Sequence, residues 1–312
     1  MPHERTFSEH KADRLKLYRE VAGTPEPIFV LCSDPSGEFG AILSAVEAEV
    51  AFEDFIGHRN ELAVVRSGET IEAIRRIVEP QQLLIADGHH RFETGQNYRD
   101  ERRTADPNAH GPQPYDFILV YFAAIEDPGL VILPTHRAVK EVSDCRLSVL
   151  LDHAKEFFEI EETEAAVTPE TLREAILQTH NQGKEREVFG LATRDRILFL
   201  RLRDREKLKT LLPPEIAAPL RDLPVVWLHR VLLEEFLDVV QEEGAPDRVA
   251  YVRTGEEVHD LLFKKGYNAA FLLRGTRPEE VRSVAQSGER MPQKSTDFYP
   301  KILSGLAVYL HD

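Results

Sequence analysis

The stretch LLIADGHHR, residues 83–91, joins four apolar residues to an acid, a glycine, two imidazoles and a guanidinium. The apolar run is typical of a buried strand. The segment after it places Phe92, Gly95 and Tyr98 on one face of a predicted helix. The sequence therefore predicts a strand-to-helix junction in which Asp87 is the N-cap of the helix.

The first turn of this predicted helix is suited to an anion. Gly88 lets the backbone turn tightly and approach a ligand closely. His89, His90 and Arg91 follow, where unpaired N–H groups and the positive end of the helix dipole favour negative charge. Three basic-type groups at this end are unfavourable without an anion, so we expect a phosphate or carboxylate here. The alternative is that the histidines are surface residues and that Arg91 pairs with an acid of the same helix.

Composition sets the class of protein. The chain has 312 residues, enough for two domains, and is 42% hydrophobic and 30% charged, as in soluble globular proteins. Its formal net charge of -15 argues against a general binder of nucleic acid or membrane surfaces. With only Cys32 and Cys145, neither a disulfide framework nor zinc-ligand spacing is present, and we expect a cytoplasmic protein. It has no apolar run long enough to span a membrane and no apolar signal region at its start.

Apolar runs alternate with amphipathic segments along the chain, which predicts an α/β fold with mixed sheets. We expect a phosphate-binding domain over residues 1–140 and a second α/β domain over 141–312. The main predicted helices are 9–21, 39–50, 70–78, 147–158, 168–179, 222–240 and 256–265. The main predicted strands are 28–32, 62–65, 117–124, 130–133, 187–193, 197–203, 249–252, 269–273 and 302–310.

Three further groups of residues are candidates for ligand binding. Thr135, His136 and Arg137 follow a predicted strand, and strand ends carry ligands in many α/β folds. The alternative for them is a surface loop with an ion-paired arginine. The loop of residues 288–299 carries a second group, a lysine and two hydroxyls, namely Lys294, Ser295 and Thr296. His229 lies among apolar residues of a predicted helix, a place more typical of a packed histidine than of a catalytic one.

The box Asp87-Gly88-His89-His90-Arg91 resembles the signature of the free-serine kinases of the ParB/sulfiredoxin superfamily. It resembles still more closely a related, widespread family of uncharacterised domains with the same box. The opening Pro2-His3-Glu4 and the segment 287–296 are similar to the catalytic-acid segment and the C-terminal substrate loop of those kinases. The resemblance to the uncharacterised family covers most of the chain, including 134–137 and 228–230.

This resemblance implies a ParB/sulfiredoxin-like first domain and a small-molecule kinase. Its donor would be ATP, ADP or pyrophosphate, and its acceptor the hydroxyl of free serine or a similar amino acid. Glu4 and Asp87 would be the catalytic acids and would hold Mg²⁺ through their oxygens. His3 is a second-tier candidate beside Glu4. Family members carry a further block upstream, so we expect the start of this chain to be truncated or misplaced relative to the family.

The sequence also departs from kinases in general and from this family. The signatures of P-loop enzymes and protein kinases are absent. Asp297 and Phe298 stand where the serine kinases have an Arg-His pair, and an acid there would repel a substrate carboxylate. Two other functions therefore remain open, a ParB-like nucleotide-binding switch module without kinase activity and another phosphate-handling enzyme such as a hydrolase.

Overall fold

A computed structural model describes residues 8–55, 57–240, 248–292 and 294–311. The predicted mixed α/β fold is confirmed. The described residues form two compact units, one that runs to Val131 and resumes at Pro300, and one that covers Ile132–Tyr299. By contacts, residues 132–140 thus group with the second unit and the C-terminal residues with the first. The predicted division at residue 140 into a phosphate-binding and a second domain stays a prediction, as does the ParB/sulfiredoxin likeness.

The secondary structure comprises α-helices, strands and a few tighter or wider helical turns. The helices are α1 Ser8–Val21, α2 Glu38–Ser44, α3 Gly68–Val78, α4 His89–Ala105, α5 Asp144–Ala154, α6 Pro169–Gln182, α7 Arg205–Lys209, α8 Pro224–Trp227, α9 Gly255–Lys264 and α10 Pro278–Gln286. The strands are β1 Gly23–Thr24, β2 Ile28–Cys32, β3 Val50–Glu53, β4 Arg59–Leu62, β5 Leu84–Asp87, β6 Val120–Ala124, β7 Val131–Leu133, β8 His136–Lys140, β9 Phe158–Glu162, β10 Val188–Ala192, β11 Ile197–Leu202, β12 Val249–Val252, β13 Tyr267–Leu272, β14 Asp297–Tyr299 and β15 Tyr309–Leu310. Turns of 3₁₀-helix cover Pro114–Asp116 and Ala218–Asp222, and a π-helix covers Leu228–Glu235.

The core of the first unit is built on β2. All five residues of β2 are buried, as its unbroken apolar run predicts. The strand pairs antiparallel with β5 and parallel with β6. Ile28, Val30 and Ile85 pack together and are covered by Phe92 of α4. This packing fixes the end of β5 and the start of α4 against one sheet.

The C-terminal residues belong to this first unit. Gly23 and Thr24 of β1 pair antiparallel with Leu310 and Tyr309 of β15. A Cβ on Gly23 would lie 2.5 Å from the carbonyl oxygen of Tyr309, so only glycine allows this approach. The chain end therefore folds back, as expected, but its strand is limited to Tyr309–Leu310 rather than 302–310.

The second unit has a sheet in the order β12-β8-β13-β10-β11-β9, with antiparallel neighbours throughout. The β10–β11 hairpin is confirmed where the sequence predicts it. Helices α6 and α9 cover one face of this sheet, where Leu172 and Leu262 pack on Ala138 of β8. Because successive strand residues point to opposite faces, Arg137 faces away from these two helices.

Several further predicted elements differ from the structure, three of them markedly. The helix predicted over 39–50 ends at Ser44, and β3 begins at Val50 because it pairs with β4. That partner strand is Arg59–Leu62 rather than 62–65. The helix predicted over 222–240 begins at Pro224 and turns into the π-helix, whose i+5 hydrogen bonds sequence periodicity does not reveal.

Candidate functional site

The strand-to-helix corner forms where the sequence predicts it, but its cap is a different residue. Gly88 is the N-cap of α4, with φ 90° and ψ 28° in the left-handed region. Asp87, the predicted N-cap, remains in β5 opposite Phe29. Its Oδ1 accepts a 2.8 Å hydrogen bond from the Gly88 N–H. The prediction of Asp87 as the cap was wrong because glycine takes this backbone conformation without steric cost.

Arg91 folds back over this turn and stays within the corner. Its Nη2 donates to Asp87 Oδ2 at 3.4 Å, and its Nη1 donates to the carbonyl oxygen of Pro27 and lies 3.7 Å from Glu26 Oε2. The Arg91 side chain is only 14% exposed. A Cβ on Gly88 would lie 2.9 Å from Arg91 Nε. The left-handed backbone angle therefore favours glycine here, and a larger residue would also make the Arg91 guanidinium shift.

Asp87 carries a negative charge beside two cations. Lys301 Nζ and Arg91 Nη2 lie 3.8 Å and 3.4 Å from the same oxygen, Asp87 Oδ2. Burial acts to raise the pKa of Asp87, but attraction to Lys301 and Arg91, with the Gly88 hydrogen bond, outweighs it and lowers the pKa below its ordinary value. The Asp87 side chain is 46% exposed. It is thus an ionised carboxylate that a ligand can reach.

The two histidines occupy the first turn of α4, as predicted. His89 is buried, and His90 is partly buried. The backbone carbonyl of His90 accepts a 2.7 Å hydrogen bond from Thr94 Oγ1, a residue of the next turn. This bond ties the first turn of α4 to the second. Amide groups of a first helical turn have no acceptor inside the helix, and at this turn the Gly88 N–H donates to the Asp87 carboxylate. The corner can therefore offer donors to phosphate oxygens and a carboxylate to a cation.

In the second candidate group, His136 and Arg137 lie inside a sheet, neither at an open strand end nor in the alternative surface loop. His136 and Arg137 belong to β8, and Arg137 is 1% exposed. The guanidinium donates to the carbonyl oxygens of Thr135 and Lys294, the latter at 3.0 Å. Its Nε donates to His229 Nε2 at 3.2 Å. No surface loop forms because only two residues, Pro134 and Thr135, lie between β7 and β8.

Both histidines beside Arg137 are neutral. Burial, followed by the charge of Arg137, lowers the pKa of His136 and of His229 to about 3. The Nδ1 of His136 accepts a 3.3 Å hydrogen bond from the Leu273 N–H, and no partner among the described residues reaches its Nε2. His229 Nε2 accepts from Arg137, so this ring carries its proton on Nδ1. In this state these rings serve as hydrogen-bond acceptors for buried donors.

The predicted substrate loop is held by its own backbone. Ser295 is buried, and its Oγ donates to the Pro292 carbonyl at 2.5 Å. Thr276 Oγ1 donates to the Ser295 carbonyl at 2.8 Å. Lys294 is exposed and has a left-handed φ of 55°. Thr296 next to them is partly buried. The loop therefore presents the lysine to solvent while its serine packs inward.

Asp297, the acid that departs from the kinase pattern, is compensated. It is 6% exposed and forms an ion pair with Arg253. The negative charge at this position is therefore neutralised within the second unit. The repulsion of a substrate carboxylate that the sequence predicts from Asp297 alone is reduced accordingly.

The structure thus joins the site residues into two groups, Asp87–Arg91 in the first unit and Thr135, Arg137, His229 and Lys294 in the second. His3 and Glu4 lie outside the described residues. Sequence reasoning missed Glu26 and Lys301, which contact Arg91 and Asp87 from distant parts of the chain. No spacing rule connects residues so far apart, and the one signal was that each stands next to a proline near an apolar stretch.

A metal centre stays a prediction. Over the described ranges, no three or more His, Cys, Asp or Glu side chains gather in a way that could hold a metal ion. The predicted Mg²⁺ pair is Asp87 with Glu4, and only Asp87 is described. A single exposed carboxylate fits Mg²⁺, which is often bound through one or two carboxylates together with substrate phosphates. Among the helices of the described residues, none has the length and apolar character needed to span a membrane.

Comparison with known proteins gave matches of two kinds. Residues 1–226 match the family described as Protein of unknown function (DUF1015). No curated protein matches the chain. Solved structures that resemble it include a conserved hypothetical protein from Pyrococcus furiosus, with 13% identity, a TM-score of 0.38 and coverage of 97% of this chain and 88% of that one.

Two further structures resemble the chain at a similar level. A free serine kinase in complex with AMP has 13% identity and a TM-score of 0.39, over 95% of this chain and 82% of that one. SbnI with a C-terminal truncation from Staphylococcus aureus has 10% identity and a TM-score of 0.44, over 97% of this chain and 81% of that one. Similarities of this size carry no residue role from those proteins to this chain.

Proposed function

The chain belongs to the DUF1015 family, and we propose that this member is a small-molecule phosphotransferase that acts on the hydroxyl of a free amino acid such as serine. The observation that supports this most is the corner at residues 87–91. There an ionised, half-exposed carboxylate, a left-handed glycine and the first turn of a helix with two imidazoles stand together.

Phosphoryl transfer depends mainly on positioning and on neutralising charge. In the proposed site, the N–H groups of the first turn of α4 and the side chains of His89 and His90 donate to phosphate oxygens of the donor. Arg91 positions Asp87 through their hydrogen bond, since its guanidinium is largely buried. Mg²⁺, when bound with the donor through Asp87, would offset the charge of the phosphates.

The acceptor chemistry requires a base. Glu4 is proposed as that base, on the resemblance of Pro2-His3-Glu4 to the catalytic segment of free-serine kinases. It takes the proton from the acceptor hydroxyl, the hydroxyl oxygen bonds to the terminal phosphorus, and the bond from that phosphorus to the leaving phosphate oxygen breaks. Lys294, Ser295 and Thr296 stay the residues that the resemblance implies for the acceptor. Of the group 135–137, Arg137 holds the backbone of that loop, since its Nη2 donates to the Lys294 carbonyl oxygen within the second unit.

The test is a turnover screen of the full chain with Mg²⁺. ATP, ADP and pyrophosphate are offered in turn with the free amino acids, and phosphorylated products are identified by mass spectrometry. We expect one hydroxyl amino acid to be phosphorylated. Glu4→Gln should keep donor binding but lose turnover at least ~100-fold, because general-base catalysis is commonly worth that much. Glu20→Gln, an exposed acid on α1, is the matched control.

The outcomes separate the candidate functions. Phosphate release that is equally fast without any amino acid would favour a hydrolase. Nucleotide binding without any product would favour the ParB-like switch module. Full turnover in Glu4→Gln would reject Glu4 as the base, and a chain that binds none of the three donors would reject the proposed function.

A further inference from the structure

The hairpin of β3 and β4 forms a small sheet of its own in the first unit. Among the described residues, no third strand pairs with either edge of this sheet. One of its faces is exposed at every residue, whereas Phe52, Asn60 and Leu62 on the other face are partly buried. A two-stranded hairpin is marginally stable alone, and three or more strands form a more stable sheet. The hairpin would therefore gain stability from a further strand at one of its edges.

The backbone of β4 directs alternate residues to its outer edge, the edge that faces away from β3. The carbonyl oxygens of His58 and Leu62 accept hydrogen bonds from the β3 side of the hairpin, at 2.9 Å and 2.8 Å. Because the hydrogen-bonding groups of successive strand residues point to opposite sides, those of Arg59 and Glu61 point away from β3. The outer edge thus offers the N–H and C=O groups of one cationic and one anionic residue.

Two β4 strands that pair antiparallel along this edge have one register in which their charges match. When the two-fold axis passes between the two copies of Asn60, Arg59 of each copy lies opposite Glu61 of the other. Both residues then direct their N–H and C=O groups at each other. Sliding one strand by two residues sets arginine opposite arginine or glutamate opposite glutamate, which is destabilising. The charges of this edge therefore select a single, symmetric pairing.

We propose that the outer edge of β4 is a self-association surface, on which a second copy of the chain adds its own β4 with Arg59 opposite Glu61. The two hairpins then form one four-stranded antiparallel sheet, closed about a two-fold axis. The same register brings the tip of each hairpin, where Phe55 is 94% exposed, beside the residues that follow β4 in the other copy. Val64, which is 47% exposed, lies among those residues. The pairing thus covers apolar surface as well, and it does not depend on the proposed function.

The alternative is that the charges of this edge prevent association, as charged residues do on many edge strands. Arg59 and Glu61 form an exposed ion pair within one chain, at 2.7 Å. Charges of one sign would repel those of a second copy, because like charges directly opposite each other are destabilising. A cation and an anion on alternate residues do not have this effect, since an antiparallel copy sets each opposite its counterpart. The edge is therefore complementary to itself.

Sedimentation equilibrium of the full chain, from about 1 µM to about 500 µM, tests the proposal, because an interface this short gives a weak dimer. We expect the wild type to shift from monomer to dimer over this range. Glu61→Arg and Arg59→Glu should each weaken the dimer at least ~10-fold, since like charges then lie opposite each other. Glu72→Arg is the matched control, because Glu72 forms a similarly exposed ion pair with Arg75 on α3. It should dimerise like the wild type.

An equimolar mixture of Glu61→Arg and Arg59→Glu provides the second test. In a mixed pair, the two basic residues of one chain face the two acidic residues of the other, so the mixture should recover the dimer that each variant loses alone. Recovery would also show that both variants keep their fold. A wild type that stays monomeric, a dimer that Glu61→Arg weakens no more than Glu72→Arg does, or a mixture that stays monomeric would overturn the proposal.

Discussion

The corner at residues 87–91 and the cluster around Arg137 begin from similar sequences and reach opposite environments. Each places histidine and arginine after an apolar run, with two residues between. At the corner, Gly88 turns the chain from strand to helix, and Asp87 remains 46% exposed. After Pro134 the chain re-enters a strand, and Arg137 is 1% exposed. The Asp87 carboxylate of one region is accessible to a ligand, and the Arg137 guanidinium of the other is satisfied by acceptors inside its unit.

The difference shows that the backbone after the apolar run decides the role of the polar residues. A left-handed glycine ends the strand and directs the next residues into the first turn of a helix. Without it, alternation along the strand sends His136 and Arg137 to opposite faces of the sheet. The arrangement at residues 87–91 suits the binding of a ligand, and the arrangement around Arg137 suits the support of neighbouring backbone. The predictions below test this distinction.

The largest effect is expected at Arg137. Arg137→Met removes the donor to the carbonyl oxygens of Thr135 and Lys294 and to His229. Leaving buried acceptors unsatisfied should cost about 3–5 kcal/mol of unfolding free energy. Urea unfolding measures this loss, and Arg203→Met, at an exposed position, should change stability by less than about 0.5 kcal/mol. A loss below about 1 kcal/mol at Arg137 would contradict its structural role.

The buried histidines should make the second unit sensitive to acid. The folded-state pKa of His136 and of His229 is lowered to about 3, so the unfolded chain binds their protons first. Their contribution to stability is present above the unfolded-state pKa of about 6.5 and is lost as the pH falls toward the folded value. Between about pH 6 and pH 5 each should cost about 1 kcal/mol per pH unit.

The two histidines should contribute about equally to the slope of unfolding free energy against pH. His229→Gln should therefore remove about half of their joint contribution to that slope. Glutamine keeps an acceptor for Arg137 but does not titrate. His110→Gln, in an exposed loop of the first unit, serves as the control and should leave the slope as it is. A slope that His229→Gln does not change would show that this ring is protonated in the folded state.

At the corner, the expected effect is a difference in stability between two glycine substitutions. Gly88→Ala and Gly111→Ala both place alanine at a positive φ, 90° and 71°, at a cost of about 1–2 kcal/mol each. Nothing lies within 4 Å of a Cβ at Gly111, whereas at Gly88 the Cβ meets the guanidinium of Arg91. Chemical unfolding should show Gly88→Ala to be the less stable of the two by about 1 kcal/mol. Equal losses would mean that Arg91 moves aside freely.

Local patterns predicted the parts of the fold that local chemistry controls. The buried β2, the capped α6 with Pro169 at its start and the β10–β11 hairpin all follow from neighbouring residues. The box of residues 87–91 was also visible, because glycine and polar residues after an apolar run signal a turn. Its cap was assigned to the wrong residue, since Gly88 takes the left-handed conformation at the start of α4 and Asp87 stays in β5.

Long-range contacts account for what the sequence could not supply. Glu26 and Lys301 reach the corner through the folding of the whole first unit, and no periodicity links them to residue 87. The burial of Arg137 depends on the strands at either side of β8 and on the helix that carries His229. From the sequence alone, Asp297 is predicted to repel a substrate carboxylate, because its ion-pair partner Arg253 is 44 positions away.

The most direct measurement is calorimetric titration of pyrophosphate and ADP into the wild-type chain, Gly88→Ala and Gly111→Ala. If the corner binds phosphate, the wild type and Gly111→Ala should bind with the same affinity, and Gly88→Ala should bind at least ~10-fold more weakly because Arg91 can no longer hold Asp87 in place. Equal binding by Gly88→Ala and Gly111→Ala, or no binding by the wild type, would contradict a phosphate site at residues 87–91.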